Sequence, residues 1–418
     1  MVIKVEKIYK RENYLKKIRG FYHSTEIIKV ITGIRRAGKS YLLLSIIEEL
    51  KNAGIKEENI INIKLDSREC KRIKTKEQLD ALIASRITNK ENYYLFIDEI
   101  QNIKDFEEVV ESYRTNGNVS IFITGSNSYL LSGNLATKLT GRKIEIEVLP
   151  LNFYEYVDMK RFFNKEVNNN IYLEFNSFIR NGGFPGTIVL DNDEDKRRYT
   201  KNILDDIFEK DIKTNEKIKN AEMFKNVQNY IINNFGSITS ASSISKFYES
   251  QNINIDIRTI ERYIDILVNA KIIIPCDLFD IKSKITLKGE KKYYLADLSL
   301  YFVYNTDNRI NYGPVLENIL HNYLLSKDYS LSVGRIGKLE CDFIARQGLD
   351  NYYYLQVSKN IDDEKTENRE YKPFFEIKDL YPRYLFVYDF PLQTNVKGIH
   401  NVNIVDFIYN NEDLKSVI

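Results

Sequence analysis

The chain has 418 residues, with Lys+Arg 61 against Asp+Glu 59, a formal net charge of +2. That balance excludes a protein held on nucleic acid by bulk charge alone, though not one with a local basic patch. Hydrophobic residues at 43% and charged residues at 29% are ordinary globular usage, and the length allows about two to four domains. No apolar run reaches the ~18 residues of a spanning helix, and the opening MVIKVEKIYKREN has no apolar signal core. Cys70, Cys276 and Cys341 are few, odd in number and far apart, so no disulfide framework or Cys-x-x-Cys knuckle is present. His23, His321 and His400 are not spaced as a metal pair. The expectation is a reduced, cytoplasmic protein without a membrane partner.

Short apolar runs at Ile27–Thr32, Ile60–Leu65, Tyr93–Ile97, Val119–Thr124 and Ile144–Val148 alternate with helical stretches. Each is four to six residues long and rich in Ile, Val, Phe or Tyr, as strands buried on both faces are. SYLLLSIIEELKNAG between the first two is apolar on more than one face and closes at Gly54. The alternation predicts a parallel sheet covered by helices over residues 1–150. After Pro150, LNFYEYVDMKRFFN and IYLEFNSFIRNGGFPG read as helices, the second ending in a Gly-Gly-Phe-Pro turn, and Arg197–Asp211 continues helically. Residues 151–222 are expected to form a helical lid. From 223 to 300, MFKNVQNYIINNFG, SASSISKFYESQ and DIRTIERYIDILVNAKIII give three helices, then strands at Ile272–Leu278 and Lys292–Ala296. Three helices and a hairpin predict a winged helix-turn-helix. Residues 301–418 return to α/β, with a helix at Val315–Leu325 and strands at Ser330–Gly334, Glu340–Ala345, Tyr352–Val357 and Tyr384–Tyr388.

The strongest chemical signal is Gly33-Ile34-Arg35-Arg36-Ala37-Gly38-Lys39-Ser40, with the spacing G-x-x-x-x-G-K-[ST]. Two glycines let the backbone curl so that successive N–H groups point at one phosphate. Lys39 adds a cation at the β- and γ-phosphates, and the Ser40 hydroxyl is a hard oxygen ligand for Mg²⁺. The helix that follows, with Tyr41 in its first turn, aims its N–H groups and dipole at the anion. At most one of the adjacent Arg35 and Arg36 would face the ligand. The second signal is Tyr93-Tyr94-Leu95-Phe96-Ile97-Asp98-Glu99, an apolar strand ending in two acids. Asp98 is placed to hold Mg²⁺ and Glu99 to orient and deprotonate water. The third is Val119–Thr124 running into Gly125-Ser126-Asn127-Ser128, where Ser126 or Asn127 would face the γ-phosphate.

Together GIRRAGKS, LFIDEIQNI, FITGSNSYLL, LTGRKIEIEVLPLNFYEY and NGGFPG resemble the AAA+ ATPases of the AAA_14 / DUF4143 type, relatives of archaeal ATPases and STAND NTPases. The resemblance runs over nearly the whole chain. It implies an AAA-like P-loop core, a lid, a winged helix and a nuclease-like tail, with ATP and Mg²⁺ as ligands. By it, Ser126 or Asn127 is the sensor, and Arg142 in Leu139-Thr140-Gly141-Arg142 is a candidate arginine finger, in cis or in trans. Gly182-Gly183-Phe184-Pro185 resembles an element that in those relatives lies near the nucleotide, which adds Pro185 to the candidate binding residues; the alternative is a purely structural turn.

The predicted recognition helix Ile257–Asn269 mixes Arg258, Arg262 and Lys271 with Asp256, Glu261 and Asp265, so it serves either DNA contact or packing. The tail resembles a PD-(D/E)xK nuclease, with Glu317 on a helix, Asp342 on a strand, and Gln356-Val357-Ser358 where an acid and a lysine would stand. Neutral Gln356 and Ser358 without a charge predict a decayed binding or scaffolding domain. The expected function is an Mg-dependent ATPase whose hydrolysis moves the C-terminal region, with DNA, a protein or further copies of itself as partners. The rivals are a slow nucleotide-gated DNA-associated regulator and an ATP-gated nuclease.

Overall fold

The structure is a computed structural model. It describes residues 7–125, 141–213, 216, 218–305, 309–361, 364–389 and 394–417. Two compact units divide the chain, Met1–Leu149 and Pro150–Ile418.

In the first unit, helix α1 (Glu12–Arg19) precedes β1 (Ile28–Thr32), α2 (Lys39–Asn52), β2 (Ile60–Lys64), α3 (Lys76–Arg86), β3 (Tyr93–Asp98), α4 (Phe106–Thr115), β4 (Val119–Thr124) and β5 (Lys143–Glu147). The sheet order is β2-β3-β4-β1-β5, and every pairing is parallel. All five strands therefore end on one edge, and β4 is inserted between β1 and β3. Strands β1, β3 and β4 are buried along their whole length. That is why they read as mainly apolar runs, while β2 alternates and β5 is only partly buried. Ile83, Val109 and Val110 of the covering helices pack with Ile61, Leu95 and Ile121 of the strands in one cluster.

The second unit opens with α5 (Phe153–Phe162), α6 (Ile171–Asn181) and α7 (Asp193–Asp206), the last continued by a wide π turn at Ile207–Ile212. Asn152, Asn170 and Asn192 cap these helices, each side chain accepting from backbone N–H groups of the first turn. Then come α8 (Ala221–Asn233), β6 (Ile238–Thr239), α9 (Ala241–Glu249), α10 (Ile257–Asn269), β7 (Ile273–Asp280) and β8 (Ile285–Leu295). Ser240 and Ser243 form a capping box on α9, and Asp256 caps α10.

The remainder is α11 (Ser299–Tyr304), α12 (Tyr312–Ser326), β9 (Ser330–Ile336), β10 (Leu339–Gln347), β11 (Asn351–Ser358), α13 (Glu364–Glu376), β12 (Arg383–Val387), β13 (Asn395–Val396), β14 (Ile399–Asn403) and α14 (Ile404–Tyr409). One nine-stranded sheet, β13-β14-β12-β11-β10-β9-β7-β8-β6, runs through the unit. Its strands include both the hairpin of the 223–300 stretch and the strands of the 301–418 stretch, because β7 pairs in parallel with β9, Leu278 opposite Val333. Sequence reading had separated these two stretches; periodicity shows a strand but not its partner, so this join could not be read from the chain.

Candidate functional site

The loop Gly33–Gly38 leaves the C-terminal end of β1 and enters α2 at Lys39. Gly33 (φ 137°), Arg36 (φ 69°) and Gly38 (φ 103°) all lie at positive φ. A Cβ at Gly33 would stand 2.2 Å from the Val148 carbonyl oxygen, so only glycine fits where the loop crosses the chain beyond β5. Val148 N–H donates to the Thr32 carbonyl at 2.8 Å. Lys39 is buried, and its ammonium donates to the carbonyls of Gly33 (2.9 Å) and Ile34 (3.2 Å). Ile34 and Ala37 are buried in the core, whereas Arg36 and Tyr41 are exposed.

From below, Arg11 holds the same loop. Its guanidinium is buried and donates to the carbonyls of Ala37 (3.2 Å) and Leu149 (2.6 Å). Tyr14 accepts from the Leu149 N–H at 3.1 Å and carries the Arg11 guanidinium 4.5 Å from its ring centroid. Sequence reasoning missed Arg11, because one arginine in the run Lys10-Arg11-Glu12 has no signature of its own.

Asp98 ends β3, and Glu99 follows in the left-handed conformation, φ 59°. Such a turn is strained for a residue with a Cβ and recurs at functional sites. One side chain of the neighbouring strand fixes both acids: the Thr124 hydroxyl donates to Asp98 Oδ1 at 2.5 Å and accepts from the Glu99 N–H at 3.0 Å. Thr124 is fully buried at the end of β4. Sequence reasoning took it only as the last strand residue; the hydroxyl in a run of apolar residues was the available signal. Gln101 donates to the Glu99 carboxylate at 2.5 Å. Burial pushes the Glu99 carboxyl above its ordinary range, the neighbouring Asp98 adds to this, and the charges of Lys39 and Arg35 oppose it. Of the two loop arginines it is therefore Arg35 whose charge reaches the acid.

Three of the expected residues are not gathered here. Ser126 and Asn127 lie outside the described residues. Arg142 is placed at the other end of the sheet: its carbonyl accepts from the Ile28 N–H at 2.9 Å, beside the start of β1. The phosphate loop begins after the end of that strand, ~16 Å away at ~3.3 Å per residue. The Arg142 guanidinium is half exposed and paired with Glu111 at 2.7 Å. The structure thus sets Arg142 beside the start of β1 and Glu111, apart from the loop Gly33–Gly38.

Pro185 belongs to the second unit, where the Gly-Gly-Phe-Pro turn has a structural account. Gly183 N–H donates to the Asp297 carboxylate at 2.6 Å, and the Gly183 carbonyl accepts from Leu151 N–H at 2.7 Å. A Cβ on Gly183 would stand 2.1 Å from the Leu151 oxygen. Asp297 also accepts from the Ser299 N–H at 2.9 Å. Burial pushes the Asp297 carboxyl up to about 6, against these hydrogen bonds.

The same unit gathers the predicted nuclease-like acids around a lysine that sequence reasoning did not select. Lys292 of β8 pairs with Glu317 at 2.9 Å and Glu340 at 2.7 Å, and lies 3.9 Å from Asp342. Gln356 is bonded at both ends, its carbonyl accepting from Asp342 N–H at 3.2 Å and its amide donating to Glu370 at 2.9 Å.

Comparison with known proteins follows this geometry. Residues 25–157 match the AAA domain family AAA_14. An uncharacterized protein of Haemophilus influenzae is 34% identical over 400 residues, 95% of this chain and 98% of that relative. The chain belongs to this family of AAA-domain proteins. An uncharacterized protein of Methanocaldococcus jannaschii is 30% identical over 407 residues, 93% of this chain and 84% of its own length. The AAA-domain protein shares its fold with the Walker-type ATPase of Pyrococcus abyssi, at 15% identity and a TM-score of 0.50 over 72% of this chain and 96% of that one. Both the match and the fold support an AAA+ ATPase built on a parallel-sheet P-loop core. Residues 173–307 match the domain of unknown function DUF8612, and the DUF4143 assignment expected for residues 301–418 is not shown. Among the described residues of this AAA-domain protein, no helix is long and apolar enough to cross a membrane, and the three cysteines are free and buried.

Proposed function

We propose that the chain binds Mg–ATP on the loop Gly33–Ser40, hydrolyses it to ADP and phosphate, and uses the change to move its second unit. The observation that carries this reading is the pair of buried Asp98 and half-buried Glu99, held by Thr124 on the sheet edge from which the phosphate loop springs. In parallel α/β sheets, ligands sit beyond that edge.

Successive N–H groups of the loop and the first turn of α2 receive the phosphates, and Lys39 shifts from its own carbonyls to phosphate oxygens of higher charge. Ser40 and Asp98 offer hard oxygens of the kind Mg²⁺ takes and would hold the ion; bound there, it would supply positive charge against the negative charge that develops in hydrolysis. Glu99 accepts a hydrogen bond from water and takes its proton as the water attacks in line with the leaving ADP. Its raised affinity for protons makes it a stronger base than an exposed glutamate. Arg142 serves only in trans, from another copy. Helices α8 to α10 with the hairpin β7–β8 are read as a winged-helix module whose partner is DNA or protein.

Phosphate release and nucleotide affinity test the proposal together. Glu99→Gln should bind ATP as the parent does and release phosphate ~10²–10⁴-fold more slowly. An unchanged rate would remove Glu99 from the role; binding without measurable turnover in the parent would leave a nucleotide-held switch.

A further inference from the structure

By the nuclease-like resemblance of the tail, the acids of the second unit would be the ones to hold a divalent cation. Glu317 comes from α12, Glu340 and Asp342 from β10, and each faces the ammonium of Lys292, which is buried on β8. Two of the acids are bonded further within the protein. Tyr294 donates to the Glu317 oxygen that Lys292 also holds, at 3.0 Å, and Val357 N–H donates to the second Asp342 oxygen at 2.8 Å. Gln356, the neutral residue at the position of a further acid, is engaged at both ends of its amide. Among the described residues, no group of three or more His, Cys, Asp or Glu is arranged to hold a metal ion. The set does not fit a metal, because its centre is taken by an ammonium on a fixed tether.

We infer that Lys292 is a built-in replacement for a divalent cation, placing its positive charge among Glu317, Glu340 and Asp342 and tying hairpin, helix and strand together without metal. The charge chemistry supports this. Burial alone would lower the Lys292 ammonium, but Glu317, Asp342 and Glu340 outweigh it and hold the group above the usual lysine range. Burial pushes the carboxyls of Glu317 and Asp342 upward, each opposed by Lys292. Removing one partner of a buried charge set leaves the others uncompensated, so the cluster should fail without its cation rather than tolerate the loss. The inference is independent of the nucleotide site.

Thermal melting of the full chain without nucleotide tests it, with MnCl₂ as the probe. The parent and Asp342→Asn should show equal, negligible shifts with Mn²⁺. Lys292→Met should melt several degrees lower, and either Mn²⁺ or a fall from about pH 7.5 to about pH 5 should recover part of that loss, because each supplies positive charge to the freed carboxylates. Should Lys292→Met not fold, Lys292→Met with Glu340→Gln removes one negative charge with the positive one and should restore folding. Two results would overturn the inference: Mn²⁺ stabilising the parent but not Asp342→Asn, or Lys292→Met melting at the parent temperature without metal.

Discussion

Lys39 in the first unit and Lys292 in the second are both buried among oxygen atoms, but the oxygens differ. Lys39 rests on the neutral carbonyls of Gly33 and Ile34, whereas Lys292 is ion-paired with carboxylates from two elements. A charge-assisted hydrogen bond is roughly twice as strong as one to a neutral acceptor. An amine on backbone carbonyls therefore gains by moving to a phosphate, while an amine among carboxylates has nothing better to move to. The contrast teaches that a lysine beside acids is a working part only where its resting partners are weak.

The largest expected break in this contrast is Lys39→Ala. If the ammonium is kept for phosphate, ATP affinity should fall by ~10²-fold or more in a calorimetric titration, while the melting temperature without nucleotide changes little. Next comes the pH profile. The proposed base Glu99 would act as a carboxylate, and burial raises its pKa. The rate should therefore fall with decreasing pH at a higher pH than an ordinary glutamate (~4.3) would give. The residual rate of Glu99→Gln should lack that limb.

Thr124→Val sharpens the comparison further. It keeps the shape but removes both hydrogen bonds that aim the acids, and should lower kcat by ~10-fold, equivalent to ~1.4 kcal/mol, with a smaller effect on KM. An unchanged kcat would show that the strand ends alone position Asp98 and Glu99. The smallest effect is expected for Arg142→Ala, whose guanidinium faces Glu111 at the opposite sheet edge. Nucleotide affinity should be unchanged. If phosphate release per chain rises with protein concentration in the parent and not in the variant, Arg142 acts from a neighbouring copy; equal profiles would leave it a surface ion pair worth under ~1 kcal/mol.

Much of the first unit was legible because local chemistry writes it. The glycines at positive φ, the lysine and serine after them, and the acids after an apolar strand are required by backbone geometry within a few residues. Other residues left no such mark. Arg11 reaches Ala37 across 26 positions, and Thr124 reaches Asp98 across 26 in the other direction. In the second unit, Glu317 and Asp342 stand out through the resemblance to a nuclease layout, but Lys292 lies in the run Lys291-Lys292-Tyr293-Tyr294 with nothing in the sequence to separate it from Lys291.

By itself, then, the chain's order of residues determined a parallel sheet with a phosphate loop at its carboxyl edge and two acids on an adjoining strand. Apolar periodicity and positive-φ glycines are local demands, and they act wherever the segment is placed. Only the tertiary structure decided that β7 joins β9 in one nine-stranded sheet, that Arg142 lies beside the start of β1 and not at its carboxyl end, and that Lys292 fills the acid cluster. Each of these depends on which distant element lies alongside, and long-range pairing is set by the summed burial of whole faces rather than by any short run of residues.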